Sequence, residues 1–149
     1  MQQLYEDAVM WYVSAGGQRF VCPQFLIHRD ADKWESNPDL VAVDFKVKTL
    51  YVIEVTTSSD ASDVAKKIGG NARTIVGLLK ENLVNDYVDF QFWKIKFRAF
   101  IRDDQREKFL KVLKGFSLDD LDIKPIDIER TLANWKWYDQ AQGPVNSLD

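Results

Sequence analysis

The chain has 149 residues, 46% of them hydrophobic and 29% charged, a size and balance that suit one globular domain with a single core. A net charge of −3 and a pI near 5.2 argue against the broad basic surface of a general DNA-coating protein and leave a confined patch to meet any anionic partner. One cysteine, Cys22, excludes an internal disulfide, and with one histidine, His28, it cannot supply the four ligands of a structural zinc site.

The first residues, MQQLYEDAVMW, lack the basic stretch and unbroken apolar run of a secretory signal, and nowhere do about 18 apolar residues follow one another. A cytoplasmic, reducing location with no membrane crossing is expected. Residues 3–14 are predicted helical, because Leu4, Ala8 and Trp11 recur at helical spacing beside Tyr5, Val9 and Tyr12, and Gly16-Gly17 ends the run. Arg19 to Ile27 is rich in β-branched and aromatic residues and interrupted by Pro23, which predicts an edge or bulged strand. His28 to Asn37 is charged and rich in breakers, so a loop is expected. Leu40 to Phe45 and Leu50 to Thr56, joined by the short link Lys46 to Thr49, predict a hairpin.

Ser58 to Asp63 supplies capping side chains, and Val64, Ile68, Ala72, Ile75 and Leu79 then mark one face of a long helix with a candidate kink at Gly69-Gly70. Trp93 to Ile101 switches to period two: Trp93, Ile95, Phe97, Ala99 and Ile101 share one face, and Lys94, Lys96 and Arg98 the other, as in a half-exposed strand. Asp103 or Asp104 caps a helix carrying Phe109, Val112, Leu113 and Phe116; Leu121 to Ile128 forms a short strand around Pro125; Arg130 to Tyr138 forms a last helix. The domain is expected to end at residue 141, with 142–149 a flexible tail. The fold class is α/β, a mixed central sheet in the order α-β-β-β-α-β flanked by helices, with an extra C-terminal helix-strand-helix.

Within NPDLVAVDFKVKTLYVIEVT, residues 37–56, side-chain parity carries a further expectation. Asp39, Val41, Val43 and Phe45 share one face of their strand, and Leu50, Val52, Glu54 and Thr56 one face of the next. A loop of even length aligns the two sets and sets Asp39 opposite Glu54 or Thr56, with facing Cβ atoms roughly 5 Å apart; an odd loop separates them. By the same parity Asp44 points away and is expected to be a surface charge. Two adjoining carboxylates raise one another's pKa unless something positive lies between them, and Mg²⁺ suits such a rim of hard oxygens. The alternative is structural, with Asp39 capping the loop and Glu54 paired to a lysine.

Pro38-Asp39, the hairpin and Glu54-Val55-Thr56 together resemble the signature of the PD-(D/E)xK nuclease superfamily, the restriction-endonuclease-like fold, over about residues 3–101. The resemblance implies a helix before three antiparallel strands, then a helix and a further strand. It implies Mg²⁺ or Mn²⁺ held by Asp39, Glu54, the Val55 backbone carbonyl and Glu6 on the first helix, and hydrolysis of phosphodiester bonds in nucleic acid, DNA foremost. Thr56 stands where the family carries a catalytic Lys, and Lys66 or Lys67 in the following helix are the nearest substitutes by sequence. Those lysines read equally as a solvated helix stripe.

Under that resemblance Lys94, Lys96 and Arg98 can bind flanking phosphates and Trp135, Lys136, Trp137 and Tyr138 can stack on an unpaired base or a partner, against the simpler readings of a solvated strand face and a closed core. Arg29 and Lys33, before Asp39, are placed to approach a phosphate; His28 reads as an ordinary loop or core residue. A homodimer or a subunit of a larger complex is expected, since so small a core reads sequence poorly alone. The alternative function is an inactive descendant of the fold that binds nucleic acid or protein, which Thr56 and the acidic pI favour.

Overall fold

The computed structural model of the protein describes residues 2–15, 18–30, 33–83, 88–133 and 146–149, with residues 29, 30 and 33–35 described by their backbone alone. In chain order the elements are α1 (Gln2–Ser14), β1 (Arg19–Pro23), β2 (Ile27–Asp30), β3 (Lys33–Ser36), β4 (Leu40–Asp44), β5 (Thr49–Val55), α2 (Ser62–Asn82), β6 (Lys94–Ile101), α3 (Arg106–Lys114), β7 (Asp122–Asp127) and α4 (Ile128–Ala133). Five strands form a mixed sheet in the order β1-β4-β5-β6-β7. β4 runs antiparallel to β1 and to β5, and β5, β6 and β7 run parallel to one another. No described helix is long and apolar enough to cross a membrane.

Period two in the strands and period 3.6 in the helices divide the core between two sheet faces. Val41, Leu50, Val52, Phe97, Ala99 and Ile101 pack under Ala65, Ile68, Ala72, Ile75 and Leu79 of α2 and Phe109 and Leu113 of α3. Leu40, Ala42, Tyr51, Ile53, Val55 and Phe100 pack on the other face under Val9, Tyr12 and Val13 of α1, Ile128 of α4, and Leu148. β5 is buried along all seven residues, as a central strand covered on both faces must be.

Several expectations are corrected. The first strand stops at Pro23, where Gln24 takes φ 55° and turns the chain away. The segment expected as a loop from His28 to Asn37 instead holds the hairpin β2–β3, fastened to the last turn of α2: Asn82 Oδ1 accepts the His28 N–H at 2.8 Å and Asn82 Nδ2 donates to the His28 carbonyl at 2.9 Å. α2 is continuous through Gly69-Gly70. Gly69 is small because the Phe116 ring lies against it: a Cβ there would sit 2.5 Å from the ring, whereas at Gly70 it would meet nothing within 4 Å. Asp103 and Asp104 do not cap α3; they open a 3-10 turn, Asp103–Gln105, that precedes it.

Burial overturns two charge assignments. Asp44 is no surface charge: at 1% exposure it pairs with Arg19 Nε at 3.3 Å, receives two hydrogen bonds from Gln18, and accepts the N–H groups of Lys46 and Val47 at 3.1 and 3.3 Å. Arg98 is fully buried, because β6 lies between β5 and β7 rather than half-exposed, and its guanidinium bonds the Phe97 and Leu148 carbonyls and the Asp122 and Asp149 carboxylates. Phosphate binding by Arg98 is therefore withdrawn, and Lys96 also turns to Asp149, at 3.4 Å. The expected flexible tail is packed from Asn146 onward: Leu148 is 1% exposed in the α1-side core and Tyr12 Oη donates to the Ser147 carbonyl at 2.6 Å. Of the last predicted helix, α4 covers residues up to Ala133; Trp135, Lys136, Trp137 and Tyr138 lie outside the described residues.

Gly69→Ala should lower stability by about 1–3 kcal/mol as the Phe116 ring is displaced, whereas Gly70→Ala should raise it by about 0.5–1 kcal/mol. Chemical denaturation of the two variants, one residue apart, checks the opposite signs. Asp44→Ala leaves Arg19 buried without its carboxylate and should cost about 3–5 kcal/mol; a loss within 1 kcal/mol, measured in the same way, would contradict the role assigned to this pair.

Candidate active site

Four residues, Phe45 to Lys48, link β4 to β5, and Lys48 takes φ 50° to close the turn. An even link aligns the two alternating sets: Val43 lies opposite Leu50 and Val41 opposite Val52. Continued outward, that register brings Asp39, just before β4, beside Glu54 near the end of β5. The Val55 N–H donates to Asp39 Oδ2 at 2.8 Å, and the Asp39 carboxylate acts on Glu54 as a neighbouring like charge. The Asp39 carbonyl accepts the Gln24 N–H at 2.9 Å, so the turn after β1 holds the backbone of this residue in place.

Glu54 is 5% exposed and faces α2. Lys67 reaches it from that helix, with Nζ 3.0 Å from both carboxylate oxygens and 3.4 Å from the Asn37 carbonyl. Burial pushes the Glu54 carboxyl up to about 8, Lys67 pulls it back down, and the neighbouring Asp39 raises it. An apolar wall, a like charge and one partly exposed ammonium thus leave the site short of positive charge.

The other expected residues divide by position. Lys66 is exposed and makes no ion pair among the described residues. Lys67 shares its helix flank with Val64, Asn71, Thr74 and Leu78, all half-buried, and Lys66 shares the opposite flank with Gly70, Arg73 and Gly77, all exposed. Thr56 donates its N–H to the Phe100 carbonyl at 2.9 Å, and its hydroxyl accepts the Ser58 N–H at 3.2 Å, ending β5 rather than meeting Glu54. Glu6 lies on α1, across the sheet from Lys67, and is half-buried. It joins the same rim through Gln2, whose Nε2 donates to Glu6 Oε1 at 3.2 Å and to the Val55 carbonyl at 2.6 Å. Gln2 was not anticipated from sequence; it lies one helical turn before Glu6, the only signal available.

His28 lies in β2 with its Nδ1 buried and unbonded, away from the carboxylates. The side chains of Arg29 and Lys33 lie outside the described ones.

Asp39, Glu54 and the Val55 carbonyl offer hard oxygens of the kind Mg²⁺ takes, and the Val55 carbonyl is directed to a side chain, Gln2, rather than into the sheet ladder. The buried, charge-deficient Glu54 fits a site that gains from a divalent cation. Among the described residues no three His, Cys, Asp or Glu side chains form a ready metal cluster, so backbone and water oxygens would complete the shell. Compared with protein families, characterised proteins and solved structures, the chain matches none.

The Glu54 shift sets a pH dependence. The folded protein retains this proton up to about pH 8, whereas the unfolded chain releases it near the ordinary 4.5. The stabilisation is complete below the lower value and is lost as pH rises through the upper one. In EDTA, Glu54→Gln should therefore gain stability relative to wild type between about pH 5 and pH 9, on the order of a few kcal/mol. Thermal melts of both proteins across that range check it, and parallel curves would refute the shift.

Proposed function

We propose that the protein is a metal-dependent nuclease of the PD-(D/E)xK kind, with a restriction-endonuclease-like core, hydrolysing phosphodiester bonds of nucleic acid, DNA foremost. The observation that carries the reading is the convergence of Asp39, Glu54 and Lys67 at the carboxyl end of β5. A carboxylate pair with one lysine is the minimum such chemistry requires.

In this reading Asp39, Glu54 and the Val55 carbonyl hold Mg²⁺ or Mn²⁺, with Glu6 reaching the rim through Gln2. The ion supplies Lewis acidity: it acidifies water and offsets the charge that develops on the phosphate. Lys67 takes the part left vacant by Thr56. Its ammonium, held between Glu54 and the Asn37 carbonyl, is oriented toward the carboxylates and positions the attacking water or the phosphate. Asp39 accepts the Val55 N–H, which fixes its carboxylate at the rim, beside the Val55 backbone, where the ion would be held.

A second reading has its own support. Lys67 already bonds Glu54 at 3.0 Å, and a fold that had retired its metal would keep such a pair as structure. The protein would then bind nucleic acid or another protein without cleaving it. Metal titration divides the two.

Wild type should bind Mg²⁺ or Mn²⁺ and cleave labelled DNA in its presence. Asp39→Ala and Glu54→Ala should lose both properties. Lys67→Ala should keep metal binding but cut more slowly by about two orders of magnitude, and Lys66→Ala should cut at the wild-type rate. Calorimetry and gel assays check this series; metal binding indifferent to both acids would sink the hydrolytic reading.

A further inference from the structure

A second site lies at the same end of the sheet. Thr57 follows β5 by two residues, Arg102 follows β6 and Ile128 follows β7 directly, so the carboxyl ends of all three parallel strands open into one place. Tyr5 of α1 and Glu129 and Leu132 of α4 complete a cavity of about 280 Å³ there. Its chemistry is mixed in a specific way. Ile128 and Leu132 provide an apolar wall, Tyr5 an aromatic ring, Arg102 a cation and Glu129 an anion.

These polar groups are only partly engaged. Arg102 donates one bond, Nη2 to Asp104 at 2.9 Å, and Glu129 accepts one, at Oε2 from the Asp103 N–H at 2.8 Å. Among the described residues the hydroxyls of Tyr5 and Thr57 make none. A ring, an aliphatic wall, a carboxylate that accepts N–H groups and a guanidinium are the elements that recognise a nucleotide with its base unstacked: the base lies on the ring, its amino or imino edge meets the carboxylate, and the phosphate meets the guanidinium. The volume, just under the range of about 300–1,000 Å³ usual for ligand pockets, suits one such unit and not a base pair.

The position ties this cavity to the carboxylates. At most about 10 Å of extended chain separates Glu54 from Thr57. Tyr5 lies one helical turn from Gln2, on the same side of α1, and Gln2 touches the Val55 carbonyl. A strand whose phosphate lies at Asp39 and Glu54 would pass over Thr56 and Thr57 to reach the Tyr5 ring.

We infer that this cavity receives a single unpaired nucleotide adjoining the scissile phosphate, so that the substrate is a nucleic acid with a single-stranded segment or frayed end. The inference rests on the hydrolytic reading for its biological sense, while binding in the cavity does not depend on the metal.

The test uses the full chain in EDTA with a single-stranded oligonucleotide carrying 2-aminopurine, and the same strand in a blunt duplex. Stacking on Tyr5 should quench the single strand and leave the duplex unchanged. Tyr5→Leu and Arg102→Gln should each weaken binding about tenfold or more while keeping the wild-type circular dichroism spectrum; the Arg102 side chain is 40% exposed, so its replacement leaves the core intact. Wild-type affinity and quenching in both variants, or equal quenching of the duplex, would overturn the inference. Cleavage in Mg²⁺ is followed in parallel: quenching without cleavage supports the cavity and counts against the hydrolytic reading alone.

Discussion

The buried Asp44 carboxylate governs the geometry of this protein. It accepts the Lys46 and Val47 N–H groups and so shapes the turn, while Arg19 and Gln18 neutralise and saturate it from the α1 side. The turn has four residues, and that number decides whether Asp39 and Glu54 share a face. A slip of one residue would send every side chain of β4 to the other side of the sheet and separate the two acids. The carboxylate at one end of the hairpin thus secures the carboxylates at the other.

Charge at that other end is set by an arrangement that spans the α2 layer. β5 brings Glu54 into an apolar setting, the hairpin brings Asp39 beside it, and α2 returns a single ammonium, Lys67. The net deficit of positive charge distinguishes this cluster from the other buried carboxylate, since Asp44 has every oxygen matched. On the opposite face, α1 closes the rim through Gln2, which links the Val55 carbonyl to Glu6.

Arg98 performs the corresponding task for the C-terminal segment. A fully buried guanidinium is tolerable only when its donors are met, and here the Leu148 carbonyl and the Asp149 carboxylate join Asp122 and the Phe97 carbonyl in meeting them. Asn146 donates to the Tyr12 carbonyl at 3.0 Å and Leu148 fills the core beside it, so the far end of the chain helps to cover the sheet. Composition around residues 146–149 carries no such signal, because a short segment without periodicity is held by what it lies against.

Periodicity and parity were enough to find α1, the β4–β5 hairpin, α2, β6, α3 and β7, because these features depend on local alternation; they bring Asp39 and Glu54 to one rim only for an even link, which the assembled hairpin supplies. They could not choose between Lys66 and Lys67, which flank the apolar stripe of α2 about equally; the choice depends on which flank lies over the end of β5. They also misjudged Asp44, Arg98 and the segment after Asn146, each a polar group or short stretch whose burial is set by elements distant in the chain. Local pattern specifies which way a side chain points within its own element, and only the assembled sheet specifies what it meets there.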